Sequence, residues 1–332
     1  MVTLTPDAID RHLLVLLQRD LPLTARPYAA IAEEVGLPED EVLTHIRRLG
    51  DGRRGSLIRE IGPIFDTRAL GYRSTLVAVE VPEDRVEGTA AVINGHPGVS
   101  HNYRREHQWN LWFTLAVPST EDIETAVKTL VGAAGGFPHL SLPALRTFKI
   151  GVRLGLESGD GLEEVEAGVA TPPNGLRPPN ERDKAFIREL QRGIEIVAEP
   201  FAQAAQALAV SQEELLQWMR EAKSRGWLRR FAAVLHHRRA GYLANGMAVW
   251  EVPRERVDEV AAVACRLPQV SHCYERVTYP NWPYSLFTMI HALNREECQA
   301  VARRISGEAG VREYSILFGT KEYKKARLKY FA

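Results

Sequence analysis

Apolar positions recur along this chain in two alternating rhythms. Near the N-terminus Ile9, Leu13, Leu16 and Leu17 fall on one helical face and predict a helix from about Asp7 to Gln18. Tyr28 to Val35 reads as a second helix ended by Gly36. Val42, Leu43, Ile46 and Leu49 mark a third, with Pro38 tolerated at its first turn. Gly52 to Ile64 then reads as a short hairpin, and three small helices with a β wing predict a winged helix-turn-helix. Beyond it the period falls to two. Thr75, Val77, Val79 and Val81 alternate with Leu76 and Ala78 in a strand, and Val86, Ala90 and Ile93 give a helix. Residues 99–117 read as a hairpin, Ile123, Val127 and Leu130 as a second helix, and Leu145 to Val152 as a last strand. That order is β-α-β-β-α-β, the ferredoxin-like arrangement.

The second half repeats the first. Phe186, Ile187 and Leu190 mark its first helix, Pro200 to Leu208 its second, and Ser211 with Glu214 opens a third that buries Leu215, Leu216 and Met219. The segment 227–242 answers 57–72 and ends in the same Gly-Tyr pair. A strand from Ala244, a helix over 254–267, a hairpin over 270–292, a helix over 296–306 and a strand near 312–319 follow. His101, Tyr103 and Arg105 share one strand face; His272, Tyr274 and Arg276 repeat them, each 171 positions on (272 less 101). The expected class is α+β: two tandem repeats, each a winged helix-turn-helix plus a ferredoxin-like domain. Boundaries are placed at 1–66 and 67–154, then a linker rich in Gly, Pro and Glu at 155–180, then 181–236 and 237–332. The open sheet faces are expected to cover one another.

Bulk properties narrow the function. The formal net charge is zero and the pI about 7.2, which gives a nucleic-acid partner no overall support. Three cysteines without C-x-x-C spacing indicate free thiols and no zinc site. The N-terminus has no secretory pattern, and no run of about 18 apolar residues predicts a membrane span. A cytoplasmic protein is expected.

The repeated strand carries a cation, an imidazole and a phenol on one face, a plausible way to hold a flat anionic ligand. A winged helix followed by a ferredoxin-like domain is similar to the Lrp/AsnC family of regulators, whose sandwich domains dimerise and bind amino acids. The hairpins HNYRREHQWNLWF and SHCYERVTYPNWPYSLFTMIH more particularly resemble the siroheme decarboxylases, Lrp-like enzymes of the heme d1 and alternative heme pathways. Those usually consist of two different subunits, and each half of this chain resembles one of them.

The resemblance implies loss of carbon dioxide from two acetate side chains of siroheme, giving 12,18-didecarboxysiroheme. It implies no redox cofactor and no protein metal site; the iron arrives with the substrate. Protonation of the pyrrole carbon would need a general acid, for which histidine is the default. Arginine forks would hold the carboxylates, and aromatic walls the macrocycle. His101 and His107 are the expected proton-transfer pair, with His272 at the equivalent strand position. Alternatively one is the acid and one contacts iron or a carboxylate. Arg104, Arg105 and Arg276 are candidate clamps, and Arg59 and Arg229, at matching wing positions, could reach a carboxylate. Tyr103, Trp109, Trp112, Tyr274, Trp282 and Tyr284 are candidate walls, though each singly is more often core. His291 shares an alternating face with Phe287 and Met289, and His236 ends the second wing. Glu275 in place of a second arginine, and a longer second hairpin, predict one competent pocket. The basic tail 321–330 reads as solvated.

The partners implied are siroheme, other heme d1 enzymes, and a second copy of the chain unless the repeats form a pseudo-dimeric monomer. A rival reading is a fused DNA-binding regulator using Arg47, Arg48, Arg53 and Arg54 as a phosphate patch. The third helix of the second half, QEELLQWMREAK, begins acidic and carries Trp218, so DNA is not the expected partner. A tetrapyrrole sensor without catalysis would use the same pocket.

Overall fold

The computed structural model describes residues 6–50, 56–151, 177–235 and 244–332. Helix α1 (Ala8–Arg19) starts where Asp7 and Asp10 cap each other's backbone N–H groups. Helix α2 (Pro27–Val35) stops at Gly36, whose φ of 69° suits a residue without a side chain, and α3 (Glu39–Leu49) follows Pro38. Then come β1 (Ile58–Phe65), β2 (Tyr72–Val79), α4 (Val86–Asn94), β3 (Val99–Arg105), β4 (Leu111–Pro118), α5 (Ile123–Ala133) and β5 (His139–Ile150). The second half supplies α6 (Glu181–Leu190), α7 (Ala202–Ala207), α8 (Gln212–Ser224), β6 (Leu228–Leu235), β7 (Ala244–Trp250), α9 (Val257–Cys265), β8 (Val270–Arg276), β9 (Leu286–Ala292), α10 (Arg295–Ala309) and β10 (Tyr314–Lys325). The expected α+β class and doubled order are the ones the chain adopts.

The two helical trios share a single apolar core in which Leu13, Leu17 and Ile46 join Phe186, Leu216 and Trp227. Strand β1 pairs antiparallel with β6 of the other repeat, with Gly62 opposite Ala232 at the middle of the ribbon. A Cβ on Gly62 would lie 2.9 Å from the Arg327 guanidinium, so glycine allows that close approach. A wing hairpin over Gly52–Ile64 was expected. Residues 51–55 lie outside the described ones, and the described strand makes its ladder with the second repeat.

The two ferredoxin-like sheets join at both edges into one closed barrel, ordered β10-β3-β4-β2-β5-β8-β9-β7. The final strand of each repeat makes this possible. β5 pairs through 139–143 with β2 of its own sheet, then through 144–150 with β8. β10 likewise pairs through 314–318 with β7, then through 319–325 with β3. Closure leaves the barrel itself, as described, without a naked edge. Both strands are 12 residues long; the sequence shows only part of each. Apolar layers fill the space under α4 and α5 (Val77, Phe113), under α9 and α10 (Trp250, Ile305) and inside the barrel, where Trp112, Trp282, Phe287 and Leu317 meet.

The basic tail is not solvated. Residues 321–325 are strand, and the chain then folds back across the wings and helices. Arg327 donates to the Pro63 carbonyl at 2.8 Å and pairs with Glu60 at 3.0 Å. The Tyr330 hydroxyl lies 2.8 Å from Thr67 Oγ1, and its buried ring stands 5.2 Å from Tyr72. The Phe331 N–H donates to the Tyr72 hydroxyl at 2.8 Å. The lysine-rich composition hides an alternating strand followed by two aromatic anchors.

Candidate active site

Strands β3 and β8 lie four places apart around the eight-stranded barrel, so their inward faces oppose each other. Tyr103 is the cross-strand partner of Trp112 and Tyr274 that of Phe287, which turns the His-Tyr-Arg face of each strand to the barrel interior. The two stations have matching geometry. The His101 and Tyr103 rings stack at 6.2 Å, those of His272 and Tyr274 at 6.0 Å. Ser100 Oγ lies 2.9 Å from His101 Nδ1 and Ser271 Oγ 2.8 Å from His272 Nδ1, which fixes both rings. Arg105 donates to the Leu317 carbonyl at 2.7 Å and Arg276 to that of Leu142, each reaching a crossing strand. The Nε atom of each guanidinium is buried and finds no hydrogen-bond partner among the described residues.

Electrostatics follow from this placement. Burial drives His101 down to about 4, helped by the charges of Lys325, Arg59 and His272. Burial also drives His272 to about 4, with Arg276 and Lys149 adding to it. Arg105 and Arg276 are each pushed down by burial to about 10, while burial raises the Tyr274 hydroxyl. Yet His101, Tyr103, His272, Tyr274 and Arg276 all keep accessible surface. Because these deep side chains still expose area, we infer that they line an internal cleft. Its polar rungs run along the strand from imidazole to guanidinium, about 13 Å for four residues.

The wing ribbon brings in two more arginines. Arg59 reaches His101 closely enough for its charge to be felt there. It also borders a pocket of about 230 Å³ with Gly50, Glu60 and Arg192. Arg229 is felt at Tyr274 but is held by the Asp66 carboxylate at 2.9 Å. His291 is buried on β9, on the same alternating face as Phe287 and Met289. His236 lies outside the described residues.

Three expectations about the site change. His107 does not join His101. It follows the end of β3, in the turn beyond Arg105, which is itself about 13 Å along the strand from His101. There its Nδ1 accepts from the Trp109 N–H at 3.1 Å, and its ring meets Trp282 edge-on at 5.6 Å. The imidazole that faces His101 is His272. Arg104 lies on the outer face of β3, since strand alternation opposes it to 103 and 105, and it pairs there with Glu83. Trp109, Trp112 and Trp282 are buried in the barrel core beneath the cleft. Tyr284 stands half-buried against Trp282 at 4.9 Å.

Sequence reasoning missed Lys325, opposite His101 on β10, and Arg68, whose charge is felt at Tyr274 and Arg276. It also passed over Ser100 and Ser271, although the Ser-His pair recurs in both hairpins. Elsewhere, Asp7, Asp10 and His45 come together, but Arg48 already donates to Asp10 at 2.6 Å. Of the suggested phosphate patch, Arg48 is thus engaged and Arg47 donates to the Ile196 carbonyl at 2.9 Å; Arg53 and Arg54 lie outside the described residues. Among the described residues no helix is long and apolar enough to cross a membrane.

Known proteins resemble this chain throughout. The family described as "AsnC-like ligand binding domain" matches residues 69–149 and 239–324, the two barrel-forming halves. The family described as "Siroheme decarboxylase NirDL-like HTH domain" matches 10–53 and 183–229. Together with the opposed polar stations, these define a ligand-binding enzyme built on a doubled AsnC-like scaffold. The siroheme decarboxylase of Hydrogenobacter thermophilus is 41% identical over 96% of this chain and 94% of its own. The siroheme decarboxylase beta subunit of Methanosarcina barkeri is 41% identical over 44% of this chain and 97% of its own, so it corresponds to half of this molecule. A crystal structure of the siroheme decarboxylase NirDL in co-complex with an iron-uroporphyrin III analogue is 36% identical, with a TM-score of 0.75 over 98% of this chain and 95% of that one. The chain belongs to the siroheme decarboxylase family, in the form that carries both halves in one polypeptide.

Proposed function

We propose that this protein converts siroheme to 12,18-didecarboxysiroheme, and that His101 and His272 are its proton-transfer pair. The observation that carries this reading is the opposition of two equivalent Ser-His-Tyr-Arg stations across one internal cleft, in a chain of this family. Each cycle replaces an acetate by a methyl group: one proton is taken up and one carbon dioxide leaves. A proton delivered to the ring carbon next to the acetate-bearing one leaves the acetate-bearing carbon electron-poor, an electron sink. The carbon–carbon bond then breaks, its electrons forming an exocyclic C=C bond as carbon dioxide leaves. Protonation of that methylene and return of the ring proton to the base restore the pyrrole, for a net uptake of one proton. The groups asked to move protons are the imidazoles. In the empty cleft both are neutral at pH 7, because their pKa values lie at about 4. A substrate carboxylate beside them favours the imidazolium and offsets the cations that now disfavour it. Arg105 and Arg276 have Nε donors that find no partner among the described residues and are suited to carboxylate arms.

Anaerobic incubation with siroheme, read by product mass and absorbance, tests the assignment. Loss of two carboxyl groups is expected. A spectral shift with the mass unchanged would reduce the protein to a binder.

A further inference from the structure

The two stations match in every inward residue of β3 and β8, but not in the strand that crosses over each of them. On β10, Lys325 is the partner of His101, and the next N–H, that of Ala326, donates to the Ser100 carbonyl at 2.8 Å. On β5, Ile150 is the partner of His272, and the next N–H, that of Gly151, donates to the Ser271 carbonyl at 3.0 Å. The backbone geometry is therefore the same, with a lysine at one station and an isoleucine at the other. Both wing arginines are held by carboxylates, Arg59 by Glu60 at 2.6 Å and Arg229 by Asp66 at 2.9 Å, and their charges are felt at His101 and at Tyr274 respectively.

We propose that Lys325 is a further substrate-binding residue: it takes one carboxylate of the tetrapyrrole beside His101 and thereby couples substrate arrival to protonation of that imidazole. The proposal rests on the siroheme reading above and extends it to a residue outside both motif hairpins. Among the described residues, three charged or titratable groups face His101 from other elements, namely Lys325 on β10, Arg59 on β1 and His272 on β8; Tyr103 stacks on it from its own strand. Both cations disfavour the imidazolium while the cleft is empty. A carboxylate drawn to Lys325 replaces that repulsion by attraction, and His101 takes a proton from solvent at the moment the substrate is seated. On β5 the residue directly opposite His272 is Ile150, and the β5 cation felt at His272, Lys149, is held by the Cys265 and Leu267 carbonyls at 2.8 and 3.2 Å. The first station is the one with a lysine directly opposite its imidazole.

The test uses the full chain and three variants, Lys325→Gln, Lys325→Arg and His101→Gln. Ring NMR of labelled histidine, with His101→Gln assigning the signal, gives the His101 midpoint in the free protein. Absorbance titration with iron-uroporphyrin III gives binding. Lys325→Gln should raise the His101 midpoint and weaken the probe by about tenfold or more, as loss of a charged hydrogen bond does. Lys325→Arg should retain both wild-type values, which separates charge from packing. An unmoved His101 midpoint together with unchanged probe affinity in Lys325→Gln overturns the proposal. Absence of carbon dioxide release from siroheme by the wild type would instead refute the decarboxylase reading, and leaves the midpoint comparison to decide the role of Lys325.

Discussion

Acidification from pH 7 to pH 4 should cost this protein more stability than its carboxylates account for, because two buried imidazoles must stay neutral in the folded state. His101 and His272 each fall from 6.5 to about 4 on folding, with burial as the main cause. A folded-state pKa below the unfolded one means that the unfolded chain takes the proton first. The stabilisation is therefore complete above about pH 6.5 and is lost as the pH falls towards about 4, where the folded form also protonates. At 1.36 kcal/mol per unit, each imidazole contributes at most about 3 kcal/mol. The pair's total is of the order of the whole stability of many domains. Urea unfolding followed by tryptophan fluorescence, at intervals from pH 4 to pH 8, measures it in the wild type and in a His101→Gln/His272→Gln variant. Subtracting the two curves removes the carboxylates common to both. The difference should be flat above pH 7 and should shrink by several kcal/mol on the way to pH 4. Parallel curves would mean that the imidazoles are hydrated and free to charge, and the account of the cleft given above would be wrong.

Other perturbations separate the roles of single residues. His101→Ala should lower turnover by about 10²-fold or more if the imidazole delivers protons; wild-type rates would remove it from the chemistry. Arg105→Met and Arg276→Met should each weaken siroheme binding by about tenfold, whereas Arg104→Ala should leave it unchanged, because that guanidinium faces outward onto Glu83. Absorbance titration of the three variants checks both halves of that statement. Tyr330→Ala removes a buried ring packed on Phe65 and Tyr72, and should lower unfolding free energy by about 3 kcal/mol in urea titration; a loss below about 1 kcal/mol would make the tail an ornament.

The sequence displayed the helices and most strands because their apolar periods are regular: Leu13, Leu17 and Ile46 announce buried helix faces, and Val77 and Val79 a buried strand face. The repeat spacing also revealed the two His-Tyr-Arg faces. It did not show which imidazoles meet. His107 stands close to His101 in the chain, yet an extended strand carries it to the far end of the barrel, while His272, distant in sequence, faces His101 across the cleft. Arg104 was misassigned for the related reason that adjacent strand residues point to opposite sides. Lys325 was hidden in a run of lysines whose alternation is weak because β10 leaves its own sheet halfway along and pairs with β3. Only contacts between the halves could reveal that change of partner.

Exchange of the last strands also bears on why one polypeptide should hold both repeats. Whatever follows β4 of one half decides what sits opposite the imidazole of the other. Two copies of the first half, assembling by the same rule, would lay β5 against β3 and set Ile150, not Lys325, opposite His101. Tethering the unlike halves gives every molecule one lysine-bearing station and one aliphatic one, a stoichiometry that loose subunits must secure by choosing their mates.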